Sequence, residues 1–201
     1  MRPVLRLTML GLAAAALSAC SLLSTPDPVQ TYRFGGIEAG AAIERSGVPI
    51  EVSLRRVEFG QATRSERILG VTGTEAAYIG GARWISPAQT LFTDDLEAAF
   101  ATTSPRVRLI GAREVTPGTR ILDVDVVTFE ARYPVAGAAP TVVVVARTRL
   151  LNLDRSIKAE ETFEVSVPAA ENRVSAIVAA FDSATDNVTG SIVAWTNANA
   201  G

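Results

Sequence analysis

The sequence predicts a single α+β domain, a mixed and mainly antiparallel sheet with two principal helices packed on it. Alternating apolar runs occupy most of the stretch from residue 48 to residue 167, the period of half-buried strands. Helical periodicity is confined to two segments, 87–100 and 172–195. With 201 residues, 48% hydrophobic and 20% charged, the chain is long enough for one core. A chain of this size buries on the order of 70% of its unfolded surface, so it needs neither a disulfide nor a metal.

Composition narrows the chemistry. Histidine is absent and Cys20 is the only cysteine, which removes histidine-based triads, cysteine nucleophiles and the commonest zinc sites. No nucleophile elbow of the G-x-S-x-G kind is present. Lys158 is the sole lysine, and a net charge of −2 gives no basic face for nucleic acid. No cofactor, metal or catalytic residue is expected, and the reading is of a binding protein, not an enzyme.

The N-terminus addresses the chain to the cell envelope. Arg2 and Arg6 precede the apolar run from Leu7 to Leu17, the charged head and short hydrophobic core of a secretory signal. The run is too short to span a bilayer, which needs about 20 residues. It ends in Leu17-Ser18-Ala19-Cys20, similar to the bacterial lipobox, in which the signal is cut before a cysteine that then carries diacylglycerol. Ala14-Ala15-Ala16 also fits an ordinary cut after Ala16. Two or more acyl chains would make Cys20 a stable tether. Without Arg2 and Arg6 the basic count falls from 19 to 17 against 21 acidic residues, a net charge of −4. By analogy with enteric bacteria, Ser21 after the cysteine points to the outer membrane. The expected organisation is a signal peptide over 1–19, a lipidated Cys20 and Pro-containing linker over 20–31, and one domain over 32–201.

Along the mature chain, Tyr32-Arg33-Phe34 opens a first strand and Val48 to Phe59 forms a second. In the latter, Ile50, Val52 and Leu54 share one parity while Val57 and Phe59 take the other, and this shift across Arg55-Arg56 marks a bulge. Arg67 to Val71 and Thr74 to Ala82 flank a turn at Gly73. Ser86, Pro87 and Gln89 then predict a capping box and a helix starting at Pro87, with Leu91, Phe92, Leu96, Ala99 and Phe100 inward and Thr93, Asp94, Asp95 and Glu97 mostly wet. Val107 to Ile110 is a short strand. Ile121 to Tyr133, Thr141 to Asn152 and Ile157 to Val167 form a meander with a two-residue turn at Asp154-Arg155. That register sets Val142 against Val167 and Ala146 against Phe163. The closing helix buries Val174, Ile177, Phe181, Val188 and Ile192 and turns Asp182, Asp186 and Asn187 outward.

The glycines Gly70, Gly73, Gly80 and Gly81 fit neither a dinucleotide fingerprint nor a P-loop, and read as turn glycines. Asp123 and Asp125 lie two apart on one strand face, but arginines opposite them favour exposed charge pairs over a catalytic couple. Asp125, Arg149 and Glu160 are expected to align across the meander. Strict alternation beyond them places Val127, Phe129, Ala131, Tyr133, Val143 and Val145 outward, an apolar patch that must be covered by the chain itself, a second copy or a partner. Phe129, Tyr133, Val143 and Val145 are therefore candidate interface residues. Trp84 joins them as either a junction between sheet and helix or a partner-facing side chain.

The lipobox, the tyrosine, tryptophan and proline between Tyr78 and Pro87, the amphipathic helix, the meander and the closing Val178-Ala179-Ala180-Phe181 to Trp195 helix together resemble the ABC-type transport auxiliary lipoprotein family. Its best-known member is the paraquat-inducible C lipoprotein. The resemblance covers nearly the whole mature chain through loose patterning, and Cys20 is the only residue whose role it carries over. It implies a sheet and helix arrangement similar to the amino-terminal domain of TolB. It also implies an outer-membrane lipoprotein, anchored by its acyl chains on the periplasmic side. Such a protein would partner the MCE-family periplasmic protein of an ABC transporter that moves lipid, phospholipid among them, between the two membranes. Self-association into a homo-oligomer is compatible with this role. The alternative is an envelope lipoprotein that activates peptidoglycan synthesis or assists outer-membrane assembly.

Overall fold

The computed structural model describes residues 29–35, 43–45, 47–111, 114 and 117–201, and the signal segment, Cys20 and most of the linker lie outside them. The described residues form, in order, β1 (Gln30–Tyr32), β2 (Ile50–Phe59), β3 (Arg67–Thr72), β4 (Glu75–Trp84), α1 (Ala88–Thr103), β5 (Val107–Ile110), β6 (Arg120–Tyr133), β7 (Thr141–Leu151), β8 (Ile157–Pro168) and α2 (Val174–Asn199). β1 begins two residues before the expected strand start at Tyr32 and ends there, while Phe34 lies in the core.

The 14-residue β6 organises the sheet. One of its edges carries β7 and then β8, both antiparallel, in the longest ladders of the fold. The other edge is shared end to end by two strands parallel to it: β2 lies along its first half, from Arg120 to Val126, and β3 along its last residues, from Ala131 to Tyr133. β5 extends the sheet beyond β2, and β4 then β1 extend it beyond β3. The result is a mixed sheet whose meander is antiparallel and whose opposite wing is largely parallel.

Bulges reconcile these strands with one core. In β2 the register against β6 shifts between Leu54 and Arg56, which brings Val52, Leu54 and Val57 to the same buried side. The connection from β7 to β8 is longer than the expected two-residue turn. Asn152 N donates to Ser156 O across three intervening residues, and Arg155 adopts φ 68°. A compensating shift between Leu150 and Leu151 restores the expected pairing of Val142 with Val167 and Ala146 with Phe163.

Both helices pack on one side of the sheet, and their apolar stripes join the strands' inward residues in a continuous core. α1 starts without the expected capping box: Pro87 is the N-cap with no side-chain hydrogen bond, and Gln89 Nε2 donates instead to Val57 O at 2.8 Å. That bond ties the first turn of the helix to β2. Arg45 Nη2 donates to Phe100 O at 3.0 Å and its Nε to Val107 O at 3.1 Å, so one guanidinium serves the end of α1 and the outer edge of β5.

Candidate functional site

The residues expected at an interface divide into buried and half-buried groups. Trp84 closes β4 and is 1% exposed, with its ring edge-on to Phe34 at 4.8 Å and to Phe181 at 5.3 Å. Phe129 is 2% exposed and lies within 5.3 Å of Phe34 and Phe59 and 4.7 Å of Phe181. Trp84 is thus the junction between sheet and helix, and the outward placement of Phe129 is overturned.

A second bulge explains the error. The β6 and β7 registers shift between Val126 and Thr128, so Val126 opposes Ala146 while Phe129 opposes Val144. Val127 is the extra residue, and it stands 53% exposed. Every later β6 side chain changes sides: Phe129 and Ala131 enter the core and Thr128, Glu130 and Arg132 take the outer face.

The remaining members of the patch do not form a continuous apolar surface. Val143 sits between Glu130 and Ser166 and is 3% exposed. Val145, between Thr128 and Glu164, is half-buried. Tyr133 is half-buried at the margin of the core face, against Gly70, whose added Cβ would lie 3.1 Å from the tyrosine ring. Burial raises the Tyr133 phenol above its ordinary pKa.

The outer face of the sheet carries ion pairs instead. The Asp123 side chain is 1% exposed and accepts from Nε and Nη2 of Arg55, and Asp125 accepts from Arg149 Nη2 at 2.9 Å. The expected row is displaced by one pair: Asp123, Arg149 and Glu160 are in register, and Arg149 reaches diagonally to Asp125. Each carboxylate has its own arginine, an arrangement that suits structural pairing more than proton sharing.

Between α1 and α2 lies a cleft of about 390 Å³ lined by Asp95, Asp182, Asp186 and Thr189 together with Ala98 and Ala99. Thr189 Oγ1 donates to Asp95 Oδ2 at 3.0 Å and Gly35 N donates to Asp182 Oδ1 at 2.7 Å. Gly35 has φ 66°, and a Cβ there would come within 2.6 Å of Asp95 Oδ1, so the position admits only glycine. Asp95 was expected on the wet face of α1 but is buried. Its spacing from Leu91 and Phe92 is the signal that places it inward. Asp186, exposed at the rim of the cleft as expected, is raised above the ordinary carboxylate pKa, first by partial desolvation and then by the charge of Asp182. Among the described residues no group of three His, Cys, Asp or Glu side chains could hold a metal ion, and no helix is long and apolar enough to cross a membrane.

With the bulged sheet, one-sided helices and closing helix in view, the sequence matches over residues 37–193 the family model described as the ABC-type transport auxiliary lipoprotein component. The chain belongs to that family. The match takes in α1, every strand except β1 and the closing helix as far as Val193. No curated protein matches the sequence. Three solved structures share this family member's fold. A Xanthomonas campestris protein is 22% identical with a TM-score of 0.67, over 86% of this chain and 94% of that one. An uncharacterized protein is 14% identical at 0.61, over 76% and 95%. A hypothetical protein from Chlamydia trachomatis is 12% identical at 0.55, over 76% and 98%.

Proposed function

We propose that this chain is the non-enzymatic accessory lipoprotein of an MCE-type ABC system that moves lipid between the inner and outer membranes. Acylated Cys20 holds it on the periplasmic side of the outer membrane, where it docks the MCE-family protein or receives lipid from it. The observation that carries the reading is the family match over residues 37–193, joined to the Leu17-Ser18-Ala19-Cys20 motif. The ion-paired carboxylates on the outer face and the buried aromatics support a scaffold that binds.

The test is capture of the acylated protein from native membranes after in-cell crosslinking, with the crosslinked partners identified by mass spectrometry. An MCE-family protein among them, together with mislocalised phospholipid on deletion of this chain, is the expected outcome. Crosslinks confined to peptidoglycan synthases or to outer-membrane assembly proteins would replace the reading.

A further inference from the structure

The β6–β7 and β7–β8 loops at the two ends of the sheet differ in charge, and the direction of β1 relates one of those ends to the N-terminal segment. β1 runs parallel to β4, with Gln30 beside Ala82 and Tyr32 beside Trp84. β4 itself starts at the Gly73 turn and runs away from it, so the chain enters β1 from the side of that turn. Thr72 pairs with Tyr133, which puts the Gly73 turn and the loop from Pro134 to Pro140 at the same end. Cys20 precedes Gln30 by ten residues, a reach of at most about 35 Å. Seven strand residues, from Glu75 to the level of Ala82, correspond to only about 23 Å. An extended chain of that length is long enough for Cys20 to reach beyond this end of the sheet.

The loop there is Pro134-Val-Ala-Gly-Ala-Ala-Pro140, seven residues without a charge, and the charges at this end, Glu75 and the Arg173–Glu171 ion pair, lie outside the loop itself. Val135 is 63% exposed at the start of a turn in which Ala138 N donates to Val135 O, and Asn172 Nδ2 fixes the loop by donating to Gly137 O at 3.1 Å. The opposite end also exposes apolar side chains, Leu153 and Ile157, but sets them beside Asp154, Arg155 and Lys158. An uncharged, apolar-tipped loop loses least when brought against a bilayer interface, and a charged loop loses most.

We propose that the end of the domain bearing the Gly73 turn and the 134–140 loop rests on the lipid surface, with Val135 at the headgroup boundary, while the Leu153 end points away from the membrane. The proposal rests on the acylation of Cys20 in the functional reading above.

The experiment uses the acylated mature chain bound to phosphatidylethanolamine and phosphatidylglycerol vesicles, with acylation checked by mass spectrometry. A single environment-sensitive fluorophore is placed on Val135→Cys or Leu153→Cys, since an acylated Cys20 offers no competing thiol. Both positions are exposed, so neither label has to enter the core. The expected result is a blue shift and loss of emission to nitroxide-bearing lipids at Val135, with neither at Leu153. Equal quenching at both sites, stronger quenching at Leu153, or no quenching in a chain shown to be acylated and vesicle-bound overturns the orientation. An unacylated chain overturns the anchor itself, and with it this proposal.

Discussion

Phe129 and Phe181 meet across the core with ring centroids 4.7 Å apart, joining the central strand to the closing helix. Replacing Phe129 by Ala should lower the free energy of unfolding by about 3–5 kcal/mol, measured in urea, because the ring leaves a cavity in a packed aromatic cluster. Phe129→Asp should not reach a native fold. Wild-type melting of Phe129→Asp would return this side chain to the surface.

The register shift before that ring falls at Val127. As an exposed bulge residue, Val127→Thr should change stability by less than about 0.5 kcal/mol. Deleting Val127 removes only the extra residue: Thr128 would then follow Val126 in regular alternation, against Val145, with Phe129 and Ala131 still on the core side. A cooperative transition that survives the deletion, beside a near-silent substitution, is the expected pair of results. Loss of the cooperative transition on deletion would mean that Val127 is not the residue that absorbs the register shift.

The β2 and β6 bulges also show what could be read from the sequence. In β2 the apolar residues change parity at Arg55-Arg56, and the pattern alone reveals the offset. In β6 the run Val124-Asp125-Val126-Val127-Thr128-Phe129 holds apolar residues of both parities, so the pattern is satisfied with or without a bulge. Only the aromatic partners Phe34, Phe59 and Phe181, distant in sequence, decide it. The same limit applies to the inter-helix cleft: the inward spacing of Asp95 was available, but its acceptance of a hydrogen bond from Thr189 is a tertiary fact. The elements themselves were legible because periodicity is a local signal, whereas the capping box at Ser86 and the two-residue turn at Asp154-Arg155 gave way to tertiary bonds and a longer loop.

Arg55 and Asp123 form the least exposed ion pair on the outer face, since the carboxylate is 1% exposed while the guanidinium is 40% exposed. Arg55→Ala would leave that carboxylate buried without its partner, so a loss approaching about 3 kcal/mol is expected. The pair should also show coupling above about 1 kcal/mol in a double-mutant cycle with Asp123→Ala. Coupling below about 0.5 kcal/mol would class it with ordinary surface pairs.

Asp186 supplies a pH test. Its pKa in the folded protein is raised by partial desolvation and then by Asp182, so the folded state favours the protonated carboxyl. The stability linked to this group is fully present below its unfolded pKa and lost as pH rises through the folded one. At neutral pH the ionised carboxylate opposes folding, and Asp186→Asn should melt higher than the unmodified chain. The gap should close as the pH falls through the folded pKa of Asp186 towards the ordinary value of 3.8. Asp182→Ala is not an equivalent test: it removes the like charge but also the acceptor of the Gly35 amide, and its net effect should be destabilising. If Asp186→Asn melts no higher than the unmodified chain at neutral pH, neither partial desolvation nor Asp182 governs this carboxyl.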